Sequence, residues 1–223
     1  ERLAVAVTRG ATFTPDCARV HPRRLVDGLA GAVRRLGGRI VGGARVTRTG
    51  DRVVVLADGR RVSAGAVIHA TEGWSGTVSG QGRRVVPVYS LMVATEVIDD
   101  ARWARIGLGS REVFSDHGHV VIYGQRTDDG RIAFGGRGAP YHWRSAIRPE
   151  FDHDEAVFGA LRSTLRDLLP ALDGVAFTHA WGGPLGIARD WHPSVTWAPV
   201  ARAGRAGGHV GDGVAASNLA GRT

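Results

Sequence analysis

Near its end the sequence carries Gly211-Asp212-Gly213-Val214-Ala215-Ala216, a Gly-x-Gly-x-x-Ala spacing within the run GGHVGDGVAAS. Glycines at 211 and 213 let backbone approach a ligand closely, and a turn that opens into a helix aims N–H groups at negative charge. Such a loop has the spacing of a dinucleotide loop and suits an anion. The other reading is a plain glycine turn capping a helix, because 33 glycines in the chain make chance spacings common. A second group, Thr71-Glu72-Gly73-Trp74, follows the apolar run Ala66-Val67-Ile68-His69-Ala70. Strand ends of this kind are where open α/β sheets bind their ligands, although Trp74 reads equally well as core packing. A third group is aromatic. Tyr123 and the consecutive Tyr141-His142-Trp143 could form an aromatic wall for a ligand, and ordinary sheet packing explains Tyr123 as well.

Other chemistries find less support. His117-Gly118-His119 and Asp152-His153-Asp154 have the spacing of metal pairs, but neither has a third partner, so no metal is expected. Ser90, Ser194 and Ser217 stand outside any nucleophile-elbow pattern, which removes the case for a hydrolase. The one cysteine, Cys17, excludes an internal disulfide framework and a multi-cysteine zinc site, fits a reducing compartment, and reads as a small packed residue rather than a nucleophile.

These groups need a scaffold, and the hydrophobic pattern supplies two kinds. HPRRLVDGLAGAVRRLGG sets Leu25, Leu29, Val33 and Leu36 on one helical face, with Pro22 in the first turn and Gly37-Gly38 as the stop. Short strands follow, punctuated by Gly42-Gly43, Gly50-Asp51 and Asp58-Gly59, the last a hairpin signal. The run 66–70 does not alternate and so reads as a strand buried on both faces of a parallel sheet. From Arg83 onward RRVVPVYSLMVATEV, REVFS, HVVIYGQ and RIAFGGRG have the alternating, β-branched texture of an antiparallel sheet, with a turn at Asp128-Asp129-Gly130. A helix over about 154–169 places Val157, Leu161, Leu165 and Leu168 on one face, with acids in its first turn and Pro170 as its stop. VAFTHAWGG reads as a strand, Ala206-Gly207-Gly208-His209-Val210 as a poor one, and the tail as a glycine turn opening into a short helix. A parallel strand at 66–70 requires parallel neighbours that no earlier strand supplies, so the chain reads as an excerpt of a longer protein or a shortened product.

With 223 residues, 43% of them hydrophobic, the chain can bury one large core or two small ones. No apolar run approaches the roughly 18 residues that span a bilayer, and Glu1-Arg2-Leu3-Ala4-Val5 lacks a signal-peptide layout. The expectation is a soluble, cytoplasmic protein with no membrane partner. The net charge of +8 invites a nucleic-acid reading, but all 29 basic residues are arginines scattered among glycines and alanines. Tracts such as Arg60-Arg61, Arg83-Arg84 and Gly135-Gly136-Arg137-Gly138 lack the interleaved aromatics of a single-strand platform, so no nucleic-acid partner is expected.

In their order and spacing, VHPRRLVDGLA, GAVIHATEGWSG, PVYSLMVATE, IAFGGRG and WGGPLG…GGHVGDGVAASNLAGR resemble the FAD-dependent oxidoreductases of the D-amino-acid oxidase family, over essentially the whole chain. The run VVIYGQRTDDGRIAFGGRGAPYHW is most similar to the γ-glutamylputrescine oxidase-like branch. The resemblance implies a mixed α/β fold: a partial, Rossmann-like FAD-binding domain at 1–82, an antiparallel substrate domain at 83–181, and a return to the FAD-binding domain at 182–223 with a truncated last helix. It implies noncovalently held FAD beside Thr71, Gly73, Trp74, Gly183, Gly208, Gly211, Asp212, Gly213 and Val214, with the late loop pointing N–H groups at the pyrimidine edge of the flavin. Tyr123, Tyr141, His142 and Leu185 would line the substrate, a small amine or amino acid whose C–N bond is oxidised by hydride transfer. No catalytic acid or base is singled out.

Three departures from the family stand out. The opening strand with its Gly-x-Gly-x-x-Gly loop has no counterpart here, and the loop at 211–216 does not replace it. Glu72 stands where the family usually has glycine or another small residue. Leu185 stands where the amino-acid oxidases of the family clamp the substrate carboxylate with an arginine. That favours an amine, or a substrate carrying its acid elsewhere, unless Arg137 or Arg189 substitutes. A missing N-terminal segment or a second copy of the chain remain open as protein partners. The competing readings are a catalytically silent remnant, one part of a split flavoprotein, and an arginine-rich nucleic-acid binder.

Overall fold

The computed structural model describes residues 2–6, 8–119, 121–137 and 141–223, with the backbone alone for Arg137. In chain order the elements are α1 (Pro22–Arg35), β1 (Val46–Gly50), β2 (Val53–Leu56), β3 (Arg61–Ser63), β4 (Val67–His69), β5 (Val85–Thr95), α2 (Asp100–Ile106), β6 (Val113–Ser115), β7 (Ile122–Arg126), β8 (Ile132–Arg137), α3 (Glu155–Leu168), β9 (Phe177–Ala188), β10 (Ser194–Ala198), β11 (Ala203–Gly207) and α4 (Gly213–Arg222). The chain divides into two compact units. The first comprises Glu1–Ile40, Ser90–Ala139 and Glu150–Gly183, and the second comprises Val41–Tyr89, Pro140–Pro149 and Pro184–Thr223.

The first unit is built on a five-stranded sheet of order β6-β7-β8-β5-β9. β7 and β8 pair antiparallel with Tyr123 opposite Gly135, and β8 pairs with β5 so that Phe134 faces Val93. The hydrophobic core lies here: Leu91, Val93, Ile106, Ile132, Phe134, Phe158 and Leu165 are each at most 1% exposed. α3 starts where the Asp154 carboxylate accepts the Val157 N–H at 3.1 Å, and it buries Phe158, Leu161 and Leu165. Burying each of the larger side chains contributes about 1.5–3 kcal/mol. The predicted stripe holds at Leu161 and Leu165, while Phe158 takes the deep place in the first turn and Val157 and Leu168 are half-buried. α2, which the periodicity does not announce, is capped by Asp99 accepting the Arg102 N–H at 2.8 Å and is anchored by buried Trp103 and Ile106.

Two expectations for this unit are corrected. α1 forms over its predicted span with His21 as its cap, yet no residue in it is buried, and Leu29 and Leu36 are 59% and 88% exposed. Periodicity creates the helix and its apolar stripe, but burial requires a surface against that stripe. Cys17, read as packed, is exposed and free, because the segment around it makes no core.

The second unit holds two small sheets. β1-β2-β3 is an antiparallel meander whose Asp58-Gly59 turn is held by the Asp58 carboxylate, which accepts the Arg60 N–H at 3.0 Å and the Arg60 Nε–H at 2.7 Å. In the sheet β10-β11-β4, β11 runs antiparallel to β10 and parallel to β4, with Gly204 opposite Ile68 and Arg205 opposite His69. β4 is thus parallel, as expected, but sits at the edge of its sheet with Ile68 60% exposed rather than covered on both faces. β11 forms over Ala203–Gly207, sharing only Ala206 and Gly207 with the run expected to make a poor strand. A Cβ at Gly204 would lie 2.6 Å from Ile68 Cδ1 and 3.1 Å from Trp197, so the small residues admit their neighbours' side chains. Among the described residues no helix is long and apolar enough to cross a membrane.

Candidate functional site

The glycine loop leaves β11 at Gly207 and turns through Gly208 (φ 75°), Val210 (φ 55°) and Gly211 (φ 100°) before α4 begins at Gly213. Glycine adopts these angles freely, while Val210 has a branched side chain in the left-handed region, which costs about 1–2 kcal/mol. Val210 is held there by burial and by its N–H, which donates to the Gly186 carbonyl at 3.3 Å. The Asp212 N–H closes the turn on the His209 carbonyl at 2.9 Å, and the Asp212 side chain gives no cap to α4. The first N–H groups of a helix have no acceptor within it, so the start of α4 presents donors and the positive end of the helix dipole.

The other half of the site is the turn after β4. Thr71 Oγ1 lies 3.0 Å from Ser75 Oγ and the Trp74 N–H donates to the Thr71 carbonyl at 2.9 Å, which winds a short 3₁₀ turn over Glu72–Thr77. Gly73 is pressed against β9: a Cβ there would lie 2.9 Å from the Pro184 carbonyl oxygen. Glu72 begins the turn at φ 41° and sends its carboxylate to the glycine loop. Its Oε1 accepts the His209 N–H at 2.9 Å and lies 3.6 Å from His209 Nε2. Its Oε2 is buried without a hydrogen-bond partner among the described residues, as is His209 Nδ1. A Cβ at Gly186 would overlap this carboxylate, so the backbone of β9 leaves the space that Glu72 fills.

The structure therefore brings the turn carrying Thr71, Gly73 and Trp74 to the loop carrying Gly208, Gly211, Asp212, Gly213 and Val214, with Glu72 as the link. Trp74 and Val214 expose 51% and 56% of their surface, which leaves them available to a ligand and rules out Trp74 as core packing. Leu185 is half-buried on β9 between Pro184 and Gly186. In the same unit the His142 ring meets Tyr89 edge-on at 5.2 Å, and the Tyr141 hydroxyl accepts the Ser145 N–H at 2.9 Å. Tyr123 and Gly183 belong to the first unit, where Tyr123 hydrogen-bonds Ser90 on the neighbouring strand β5 and Gly183 has open space where a side chain would stand. Arg189 is exposed, and the Arg137 side chain and Gly138 lie outside the described residues.

Sequence reasoning passed over His209, Gly186 and Tyr89. Its one signal toward them was Glu72, a charged residue where a small one was expected. Within Asp152-His153-Asp154, Asp154 caps α3 and His153 packs edge-on to Phe158 at 5.0 Å. Beside the loop, His69 hydrogen-bonds Thr49 at 3.1 Å. Burial, then the charges of Arg205 and Arg84, hold its imidazole below the usual histidine range. Burial and the Arg84 charge likewise lower Arg205.

The chain matches the family described as FAD dependent oxidoreductase, DAO, over residues 1–223. It is 28% identical over 214 residues to the probable oxidoreductase OrdL of Rhizobium meliloti, covering 91% of this chain and 45% of that protein. Among solved structures it is similar in fold to glycine oxidase from Geobacillus kaustophilus, with a TM-score of 0.72 at 19% identity, covering 89% of this chain and 51% of the other. L-proline dehydrogenase from P. horikoshii gives a TM-score of 0.69 at 18% identity, covering 86% and 51%. The chain spans about half the length of the relatives it matches.

Proposed function

Because the chain belongs to the FAD-dependent oxidoreductase family DAO, we propose that it forms the flavin-ring and substrate-facing part of an enzyme that oxidises the C–N bond of a small amine or amino acid. The observation that carries this reading is the glycine loop. Its backbone at Gly211 is exposed to close approach, and the start of α4, which no side chain caps among the described residues, offers N–H donors to a ligand. A flavin gathers negative charge on its pyrimidine edge when reduced, and donors fixed in advance hold such charge best. The residues thus fit a flavin ring: Gly211, Asp212, Gly213 and Val214 would meet that edge, with Thr71, Gly73 and Trp74 on the neighbouring turn. When bound, FAD supplies the hydride acceptor.

The chain's own contribution is placement and a sheltered pocket. Leu185 offers no charge for a substrate carboxylate, which supports an amine, or an acid carried away from the reacting carbon. Tyr141 and His142 are the proposed substrate wall. The hold on FAD is proposed to be noncovalent, and flavin remaining with acid-precipitated protein would contradict it. A cytoplasmic location belongs to the same proposal. The adenine and phosphates would be held by a nucleotide-binding segment on the same polypeptide or on a partner chain. The uncovered face of α1 and the free edge of β4 support such a partner.

The test is the visible spectrum of the purified chain after incubation with excess FAD and desalting. Retained flavin bands, bleached by an amine in the absence of oxygen, are the expected result. A colourless protein would overturn the claim that these residues suffice to hold the ring, and would favour the catalytically silent reading.

A further inference from the structure

We propose that Glu72 is the positioning residue of the glycine loop: its carboxylate holds the His209 N–H and so keeps the loop, and the start of α4 behind it, in the arrangement that faces the cofactor. Three independent features of the second unit converge on this carboxylate. First, Glu72 occupies the left-handed region at φ 41°, a conformation that favours glycine and is costly for a side chain with a Cβ. A residue persists in such a conformation when surrounding contacts over-determine it. Second, those contacts are present. Oε1 accepts the His209 N–H at 2.9 Å with the His209 imidazole 3.6 Å away, and Oε1 is also the nearest atom to Gly207, at 3.7 Å from the place of a Cβ. Third, β9 carries glycine at 186, where any larger residue would overlap the carboxylate.

The arrangement has a chemical consequence. The His209 N–H is a donor of the loop that this chain satisfies from within, whereas the N–H groups at the start of α4 remain for a ligand. Glu72 thus divides the loop's donors into one that fastens the loop and others that present. This assignment rests on the proposed flavin reading only for the identity of what is presented. The fastening itself is a property of the flavin-free chain.

The test compares Glu72→Gly with Glu72→Gln. Glycine suits φ 41° and so relieves the backbone while deleting the carboxylate. Glutamine keeps an oxygen acceptor of the same reach without the charge. Amide hydrogen exchange at His209 is read in the flavin-free chain, and FAD binding by fluorescence titration. The expected result is exchange at His209 at least about tenfold faster in Glu72→Gly, matching the loss of one charge-assisted hydrogen bond, with Glu72→Gln closer to the parent chain. FAD affinity is expected to fall about tenfold in Glu72→Gly and to recover in part in Glu72→Gln. Unchanged His209 exchange in Glu72→Gly would overturn the proposal, and so would equal loss in both variants. If the parent chain binds no FAD while His209 responds as expected, the flavin reading fails and the positioning role stands.

Discussion

Replacing Gly186 by alanine puts the packing around the Glu72 carboxylate to a quantitative test. The new Cβ would overlap the carboxylate and would lie 2.9 Å from Val85 Cγ1 and 3.0 Å from the Gly73 nitrogen. Carbon atoms pack favourably at about 3.5–4.0 Å, so each contact must open by half an ångström or more. Val85 is buried and Gly73 is backbone pressed on Pro184, which leaves the carboxylate as the group that yields. The overlapped atom is Oε2, so the carboxylate must turn or withdraw, which disturbs the bond that Oε1 accepts from the His209 N–H. Overpacking costs about 1–3 kcal/mol and the lost charge-assisted hydrogen bond about 1.5–3 kcal/mol, while alanine recovers about 0.4–1 kcal/mol by restricting the unfolded chain. A net loss of roughly 1.5–5.5 kcal/mol follows, or a fall of about 3–20 °C in the unfolding midpoint for a chain of this length. The assay is thermal and urea unfolding of the parent, Gly186→Ala, Glu72→Gly and the double variant. Once the carboxylate is gone part of the clash disappears, so the two substitutions should couple by about 1 kcal/mol or more. Additivity within about 0.5 kcal/mol, or a neutral Gly186→Ala, would refute the claim that the carboxylate occupies this space.

Two further outcomes are expected. Phe158→Ala, which empties a fully buried place on α3, should cost about 3–5 kcal/mol in urea unfolding. A cost under about 1 kcal/mol would mean that α3 does not pack on the sheet as described. His69 has its folded pKa lowered from 6.5, so below that value the unfolded chain binds its proton more readily. The stability contributed by neutral His69 is complete above about pH 6.5 and is lost as the pH falls through that value toward the folded pKa. The difference in stability between the parent and His69→Gln should therefore shift against the parent between pH 7 and pH 5. A difference independent of pH would sink that account.

Much of the scaffold was legible because its causes are local. Pro22 and Gly37-Gly38 bound α1, Asp154 and Pro170 bound α3, and Asp58-Gly59 turns β2 into β3, each through interactions within a few residues. The alternating strands from 85 to 137 pair as antiparallel neighbours for the same reason, since short turns join several of them. The glycine loop was readable as a loop because backbone conformation is written in glycine spacing. β11 was not, because its residues are small to make room for Ile68 and Trp197, side chains on strands that only the fold brings alongside. Nor could periodicity say that the stripe of α1 is uncovered or that β4 stands at an edge, since burial belongs to neighbours rather than to a pattern. The center of the candidate site lies furthest from local reading. Glu72 and His209 are 137 residues apart, and they meet because the parallel pairing of β4 with β11 brings the exits of both strands together. By itself the sequence determined which segments become helix, strand and turn, and tertiary structure alone decided which carboxylate reaches which N–H. The first depends on torsions and contacts along the chain, and the second on register between strands that the chain joins only through long connections.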